Sequence, residues 1–137
     1  MTETRLHDSF ARQALMATFG ARLTATTPGR VEITAPLLPL ALQQHGAGHA
    51  GLTFALADTA AGYAALSLMP PDREVMTVEA KINLIAPAIG SHLIARGEVV
   101  RAGRRLSVVR AEVFALRDGV ETCVALLQGT MIPVDPA

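Results

Sequence analysis

The run Gln43-Gln44-His45-Gly46-Ala47-Gly48-His49-Ala50-Gly51 is polar and rich in glycine. It leads directly into a long, nearly apolar segment that carries one carboxylate, Asp58. Where such a loop enters a helix, the first backbone N–H groups have no intrahelical acceptor, and the helix dipole favours negative charge beside them. Glycine and alanine at that point let a ligand approach the backbone closely. A carboxylate two turns further along can orient or deprotonate a water, or attack an electrophile itself. Donors for an oxyanion together with a base are the parts of an acyl-transfer site.

Each of these residues also has a plainer reading. Asp58 can be a structural carboxylate bonded to a neighbouring strand, but an unpaired buried carboxylate is costly, which favours a functional role. His45 and His49 are four apart, the spacing of metal ligands on a helix, but glycines lie between them and no third ligand is near in sequence. No metal is expected, and His49 is expected to orient the loop by hydrogen bonding. Gln43 suits two roles equally: closing the loop, or holding a carbonyl or a water. Arg101, Arg104 and Arg105 surround a turn. They read either as a solvated hairpin tip or as a clamp for phosphate, whose oxygens match the guanidinium fork. Tyr63 and the methionines read as core packing. Cys123 has no base near it in sequence and is not expected to act as a nucleophile.

The elements that must position these residues follow from periodicity. Thr4 to Phe19 reads as an amphipathic helix with Leu6, Phe10, Ala14 and Ala17 on one face, stopped at Gly20. Arg22–Thr27 and Arg30–Pro36 are extended segments joined by the turn Thr27-Pro28-Gly29. His49 to Leu68 is helical in pattern and apolar nearly all round, so most of its surface must be enclosed. Pro70-Pro71-Asp72 ends it. In Val75–Leu84 the even positions Met76, Val78, Ala80, Ile82 and Leu84 are apolar and the odd positions polar, which predicts that the even face is buried. Ser91–Arg101, Arg105–Leu116 and Val120–Ile132 are three further strands with tight turns, an antiparallel meander. In Arg105–Leu116 the odd face (Ser107, Val109, Ala111, Val113, Ala115) is small or apolar. The even face mixes Leu106, Val108 and Phe114 with Arg110 and Glu112, which suits contact with a partner. The expected architecture is α+β: one buried helix wrapped by a curved antiparallel sheet.

With 137 residues there is room for one domain, spanning 1–137. Half the residues are apolar, only 18% are charged, and the mean hydropathy is +0.35. That excludes a disordered chain and exceeds what a small monomer usually exposes, so a second copy is expected to cover part of the surface. Twelve basic and twelve acidic residues cancel, which gives no electrostatic reason for a nucleic-acid or anionic-membrane partner. A single cysteine excludes an internal disulfide and suits a reducing compartment. The opening residues lack the pattern of a signal peptide, so a cytoplasmic location is expected. Ala50 to Met69 is long and apolar enough to suggest a membrane span, but Asp58 near its middle argues for a buried core helix.

The stretch Gln43–Gly62 resembles the signature of hotdog-fold acyl-CoA thioesterases of the PaaI type, within the 4-hydroxybenzoyl-CoA thioesterase superfamily. The match continues through Thr77-Val78-Glu79-Ala80-Lys81-Ile82-Asn83, Pro87-Ala88 and Val100-Arg101-Ala102-Gly103-Arg104-Arg105-Leu106. The resemblance implies a site between two protomers, dimers that commonly pair into tetramers, and hydrolysis of CoA thioesters without metal or organic cofactor. It puts the catalytic carboxylate on Asp58 and the N–H that polarises the thioester carbonyl on Ala50. The amide that holds substrate or water falls on Gln43, and the hydroxyl of the following strand on Thr77, in the opposite protomer's half of the site. On this reading the acyl carbonyl oxygen points at the helix N-terminus near Ala50 and Gly51, His49 joins the substrate-binding residues, and Arg101, Arg104 and Arg105 are candidates for the phosphates of coenzyme A. Where the family often has His-Gly-Gly, this chain has His49-Ala50-Gly51, and the amide, often asparagine, is one methylene longer in Gln43.

The expected activity is therefore acyl-CoA thioester hydrolysis, with Asp58 as general base or as nucleophile. The rival is a non-catalytic acyl-CoA-binding or regulatory module of the same fold. A hydratase or dehydratase would need an aspartate–histidine pair, and His49 stands nine residues before Asp58.

Overall fold

In the computed structural model, which describes residues 2–137, the Thr27-Pro28-Gly29 turn joins β1 (Arg22–Thr27) to β2 (Arg30–Pro36), with Gly29 at φ 78°. A loop containing a short 3-10 turn, Pro39–Ala41, leads to the long helix (Ala50–Leu66). Four strands follow: β3 (Glu74–Leu84), β4 (His92–Ala102), β5 (Ser107–Arg117) and β6 (Val120–Val134). All six pair antiparallel in the order β1-β2-β4-β5-β6-β3. The sheet wraps the long helix, which packs against β2, β3, β4, β5 and β6. This is the hotdog arrangement.

Helix and sheet share one apolar core. The odd face of β5 (Ser107, Val109, Ala111, Val113, Ala115) is buried, as its alternation predicts, and so are Leu52, Leu56, Ala57, Ala60, Ala61 and Ala64 on the helix. The closest approach is at Gly97 on β4. A Cβ there would lie 2.4 Å from the Ala60 carbonyl carbon and 2.5 Å from the Ala61 nitrogen. Backbone cannot swing aside as a side chain can. Gly97→Ala should therefore destabilise the fold by about 3 kcal/mol, the upper end of overpacking costs, read as a lower midpoint in urea unfolding.

The outer face of β5 is half-covered within the chain. The Arg96 guanidinium sits 5.0 Å above the Phe114 ring. It bonds Glu32 at 3.0 Å and takes Glu121 with both terminal nitrogens, at 2.7 and 3.0 Å. That hydrogen bonding from Arg96 holds the Glu121 carboxyl below its ordinary range. Among the described residues no helix is long and apolar enough to cross a membrane.

Two expectations need correction. The N-terminal helix is broken in two, a first helix, α1 (Thr2–Ala11), and a second, α2 (Ala14–Thr18). Gln13 between them is extended, at φ −83° and ψ 102°. The buried residues are Leu6 and Met16, with Phe10 half-buried, whereas Ala14 and Ala17 are exposed. The break lets each short helix turn its own apolar residue to the core, a choice a single 3.6-residue period does not reveal. The long helix is accordingly α3.

The second correction concerns β3. Its register pairs Thr77 with Met131 but Glu79 with Thr130, so Val78 is an extra, bulged residue. The bulge reverses the faces. Before it, Val75 and Thr77 face the helix while Met76 and Val78 stand 55% and 56% exposed; after it, Ala80 and Ile82 face inward. Strict alternation would have turned Thr77 outward.

Candidate active site

The loop before α3 is closed by its own polar groups. Gln43 N–H donates to Ala47 O at 2.8 Å. The Gln43 side-chain oxygen accepts from the N–H groups of His45 and Ala47. Two donors on that oxygen identify it as the carbonyl of the amide, leaving the Gln43 NH2 to face a ligand as a donor only. Of its two sequence-level roles, closing the loop and holding a carbonyl, the residue has atoms for both. Gly48 donates to Ala88 O at 2.8 Å, and a Cβ on it would lie 2.8 Å from the Leu37 side chain. The loop is thus clamped between Leu37, just after β2, and the segment after β3.

His49 is the N-cap of α3. Its Nδ1 accepts the Gly51 N–H at 2.8 Å, which requires the proton to sit on Nε2 in the neutral ring. Leu52 and Thr53 donate to His49 O at 3.0 and 3.3 Å. Of the first turn, only the Ala50 N–H lacks an acceptor among the described residues. Gly51, expected beside the carbonyl, has its N–H already occupied. The free donor and Gln43 line one cavity of about 540 Å³ with Gly48, Thr53 and Ile85.

The carboxylate lies at the other end of the exposed helix face. Ala50, Gly51 and Phe54 are exposed and Asp58 and Thr59 are half-buried, while the last turns of α3 are enclosed. Asp58 Oδ1 accepts the Thr77 hydroxyl at 2.8 Å, and Thr77 Oγ1 also lies 3.2 Å from Met131 Sδ. The bulge at Val78 makes that contact possible. Asp58 is not walled in by apolar groups: it lines a second cavity, of about 180 Å³, with Gln13, Thr59, Tyr63 and Thr77. Thr77 and Asp58 belong to the same half of the site, because β3 passes directly along the flank of α3.

Eight residues separate Ala50 from Asp58, about 12 Å along a helix axis. Within one chain, then, the free donor and the carboxylate cannot both touch one carbonyl group. Gln43, His49 and Ala50 form one half-site; Asp58 and Thr77 form another.

The three arginines stay outside both cavities. Arg101 lies near the end of β4 and Arg104 and Arg105 in the turn after it; all are exposed, and none is ion-paired among the described residues. The register runs Ser107, Met131, Thr77 across β5, β6 and β3, so the turn projects at the Thr77 end of the sheet. Two strand spacings, about 10 Å, separate those rows.

Two site components carry no motif in the sequence. Gln13, in what reads as a helix interior, reaches the Asp58 cavity. Tyr63 is buried, as core packing predicts, yet its hydroxyl bonds Gln13 and Ser9 at 2.8 and 2.9 Å. The available signal was a lone tyrosine in an alanine-rich helix, whose hydroxyl needs a partner when buried. Cys123 stays apart, and burial pushes its thiol above the ordinary range.

Residues 45–122 match the family model described as the thioesterase superfamily. No curated protein shows significant similarity to the chain. Among solved structures, a thioesterase family protein from Silicibacter pomeroyi is 43% identical, with 99% of this chain and 100% of that one covered and a TM-score of 0.97. A conserved protein from Pseudomonas aeruginosa is 32% identical over 89% of this chain and 94% of its own, with a TM-score of 0.81. The PaaI protein from the phenylacetic acid degradation operon of E. coli shares the fold, with a TM-score of 0.87 at 22% identity and coverage of 99% and 95%. The family match spans more than half the chain and takes in the end of the loop, α3 and strands β3 to β5: this chain belongs to the 4HBT-type thioesterase superfamily and is a thioester hydrolase.

Proposed function

We propose that the chain hydrolyses acyl-CoA thioesters to free acid and CoA at sites that each combine two copies of it. The observation that carries this reading is the separation of the two half-sites along one exposed helix face. Two α3 helices laid side by side in opposite directions bring Ala50 of one copy to Asp58 of the other. A two-fold axis does this twice, giving two equivalent sites. The edge strand β3 supports the pairing: it is eleven residues long, has no neighbour on its outer side, and exposes Met76, Val78 and Leu84. A long apolar edge is normally covered.

In this reading the reaction runs through Asp58, Thr77, Ala50 and Gln43. Thr77 holds Asp58 Oδ1, so Oδ2 remains to take a proton from water. The water oxygen attacks the thioester carbonyl carbon. The oxyanion that forms is held by the Ala50 N–H, at the positive end of α3, and by the Gln43 NH2 of that same copy. Collapse breaks the C–S bond, and the CoA sulfur leaves with the proton that Asp58 had taken. His49 keeps the first turn in shape through Gly51, and Arg101, Arg104 and Arg105, exposed and free of ion pairs among the described residues, take phosphates of CoA. The whole forms one catalytic domain, suited to the reducing cytoplasm where CoA thioesters occur.

A panel of aliphatic and aromatic acyl-CoA thioesters, assayed for free thiol, tests the reading. At least one should be turned over many times by each site. Tight binding across the panel with no thiol released would establish the non-catalytic module instead.

A further inference from the structure

Outside the loop-and-helix signature, the Asp58 cavity has one polar wall that the chemistry above does not use. It comes from the N-terminal segment. Gln13 is half-buried in the break between α1 and α2, and its side chain lines the cavity together with Asp58 and Thr77. The amide is held from behind. Its Nε2 donates to Tyr63 Oη at 2.8 Å, and Tyr63 Oη also bonds Ser9 Oγ at 2.9 Å. Tyr63 is 4% exposed and packs against Phe10, with ring centroids 6.2 Å apart, so this anchor is rigid. Since the nitrogen is engaged, Oε1 is the free end and can only accept.

We propose that Gln13 positions the hydrolytic water beside Asp58. A water giving one proton to Asp58 Oδ2 needs a second acceptor for its other proton if its lone pair is to face the thioester carbon. Thr77 spends its proton on Asp58 Oδ1 and Tyr63 Oη is shared by two partners, so both hydroxyls are already tied into the wall. The Thr59 hydroxyl on the same wall can donate or accept, whereas the Gln13 carbonyl can only accept and so fixes the direction of the water's proton. The broken helix agrees with this role. The sequence pattern would run one helix through the segment, and the extended backbone at Gln13 turns the side chain inward instead. The inference rests on Asp58 acting as the base, as proposed above, and it assigns to α1 and α2 a part in catalysis rather than cover alone.

The test compares variants of the full-length protein under saturating acyl-CoA. Gln13→Met keeps length and loses the acceptor. It should lower kcat about 10- to 100-fold, the range for one hydrogen bond to a group that becomes charged, with KM within threefold. Tyr63→Phe removes the anchor but leaves the acceptor, so its loss in kcat should be smaller. Gln13→Glu keeps an acceptor and puts a negative charge beside Asp58, so the acid limb of the kcat profile should move to higher pH. That shift reports only that position 13 faces Asp58, and a side chain turned away from the cavity would leave the limb in place. A kcat within twofold of wild type in Gln13→Met overturns the proposal. So do equal losses in Gln13→Met and Tyr63→Phe accompanied by a lower melting temperature. If Gln13→Met does not fold, the pH profile of Gln13→Glu stands in for it: an unmoved acid limb overturns the proposal. Asp58→Asn is assayed in parallel. If it is fully active, the base assignment fails first; if it is inactive while Gln13→Met is unimpaired, only the role of Gln13 fails.

Discussion

Asp58→Asn should lower kcat on the order of 100- to 10,000-fold, the span that removal of a general acid–base group produces. The fold should survive, because asparagine keeps an oxygen where Asp58 Oδ1 receives the Thr77 hydroxyl. What it loses is the second carboxylate oxygen and the capacity to take a proton. KM should change little, since the acyl oxygen is held at the opposite half-site. Circular dichroism and the melting temperature check the fold, and thiol release checks turnover. A variant that is folded and fully active would remove the base from the mechanism. Single-turnover hydrolysis in ¹⁸O water sharpens the result. Label enters only the released acid if Asp58 activates water, whereas label in the Asp58 side chain would reveal an anhydride opened at its Cγ.

Ala50→Pro should lower kcat about 100- to 1,000-fold, as loss of one oxyanion donor does. The substitution removes the N–H and little else. Ala50 is the first residue of α3, where proline is well tolerated. The preceding His49 is at φ −62° and ψ 142°, the extended conformation that proline demands of its predecessor. An Ala50→Gly control keeps the N–H and should remain active.

The two variants together test the shared site. In a dimer of one Asp58→Asn chain and one Ala50→Pro chain, one site collects both defects and the other collects neither. Co-expression with random pairing should restore about a quarter of wild-type activity, since half the dimers are mixed and each has one intact site. A site contained within one chain would show no recovery.

Much of this architecture was legible before any coordinates. The borders of β1 and β2 follow from the Thr27-Pro28-Gly29 turn, and the buried face of β5 from unbroken alternation. The long helix follows from an apolar run too long for a strand. Those signals are local: they lie in neighbouring residues and in a single period. The loop glycines, Asp58 and Gln43 were legible as chemistry for the same reason, through residue types at fixed spacing.

The rest depends on contacts between segments distant in the chain. Val78 looks like one more apolar residue of an alternating strand, and only its pairing with β6 makes it a bulge that turns Thr77 toward Asp58. Gln13 looks like the interior of a helix until Tyr63, fifty residues on, captures its amide. The Gly51 N–H looks free until the His49 ring folds back onto it. Local periodicity and turn chemistry thus specify which elements form and which residues carry reactive groups. Register, the bulge and the docking of α1 and α2 settle which of those groups meet, because each depends on long-range packing and hydrogen bonding that no window of sequence contains.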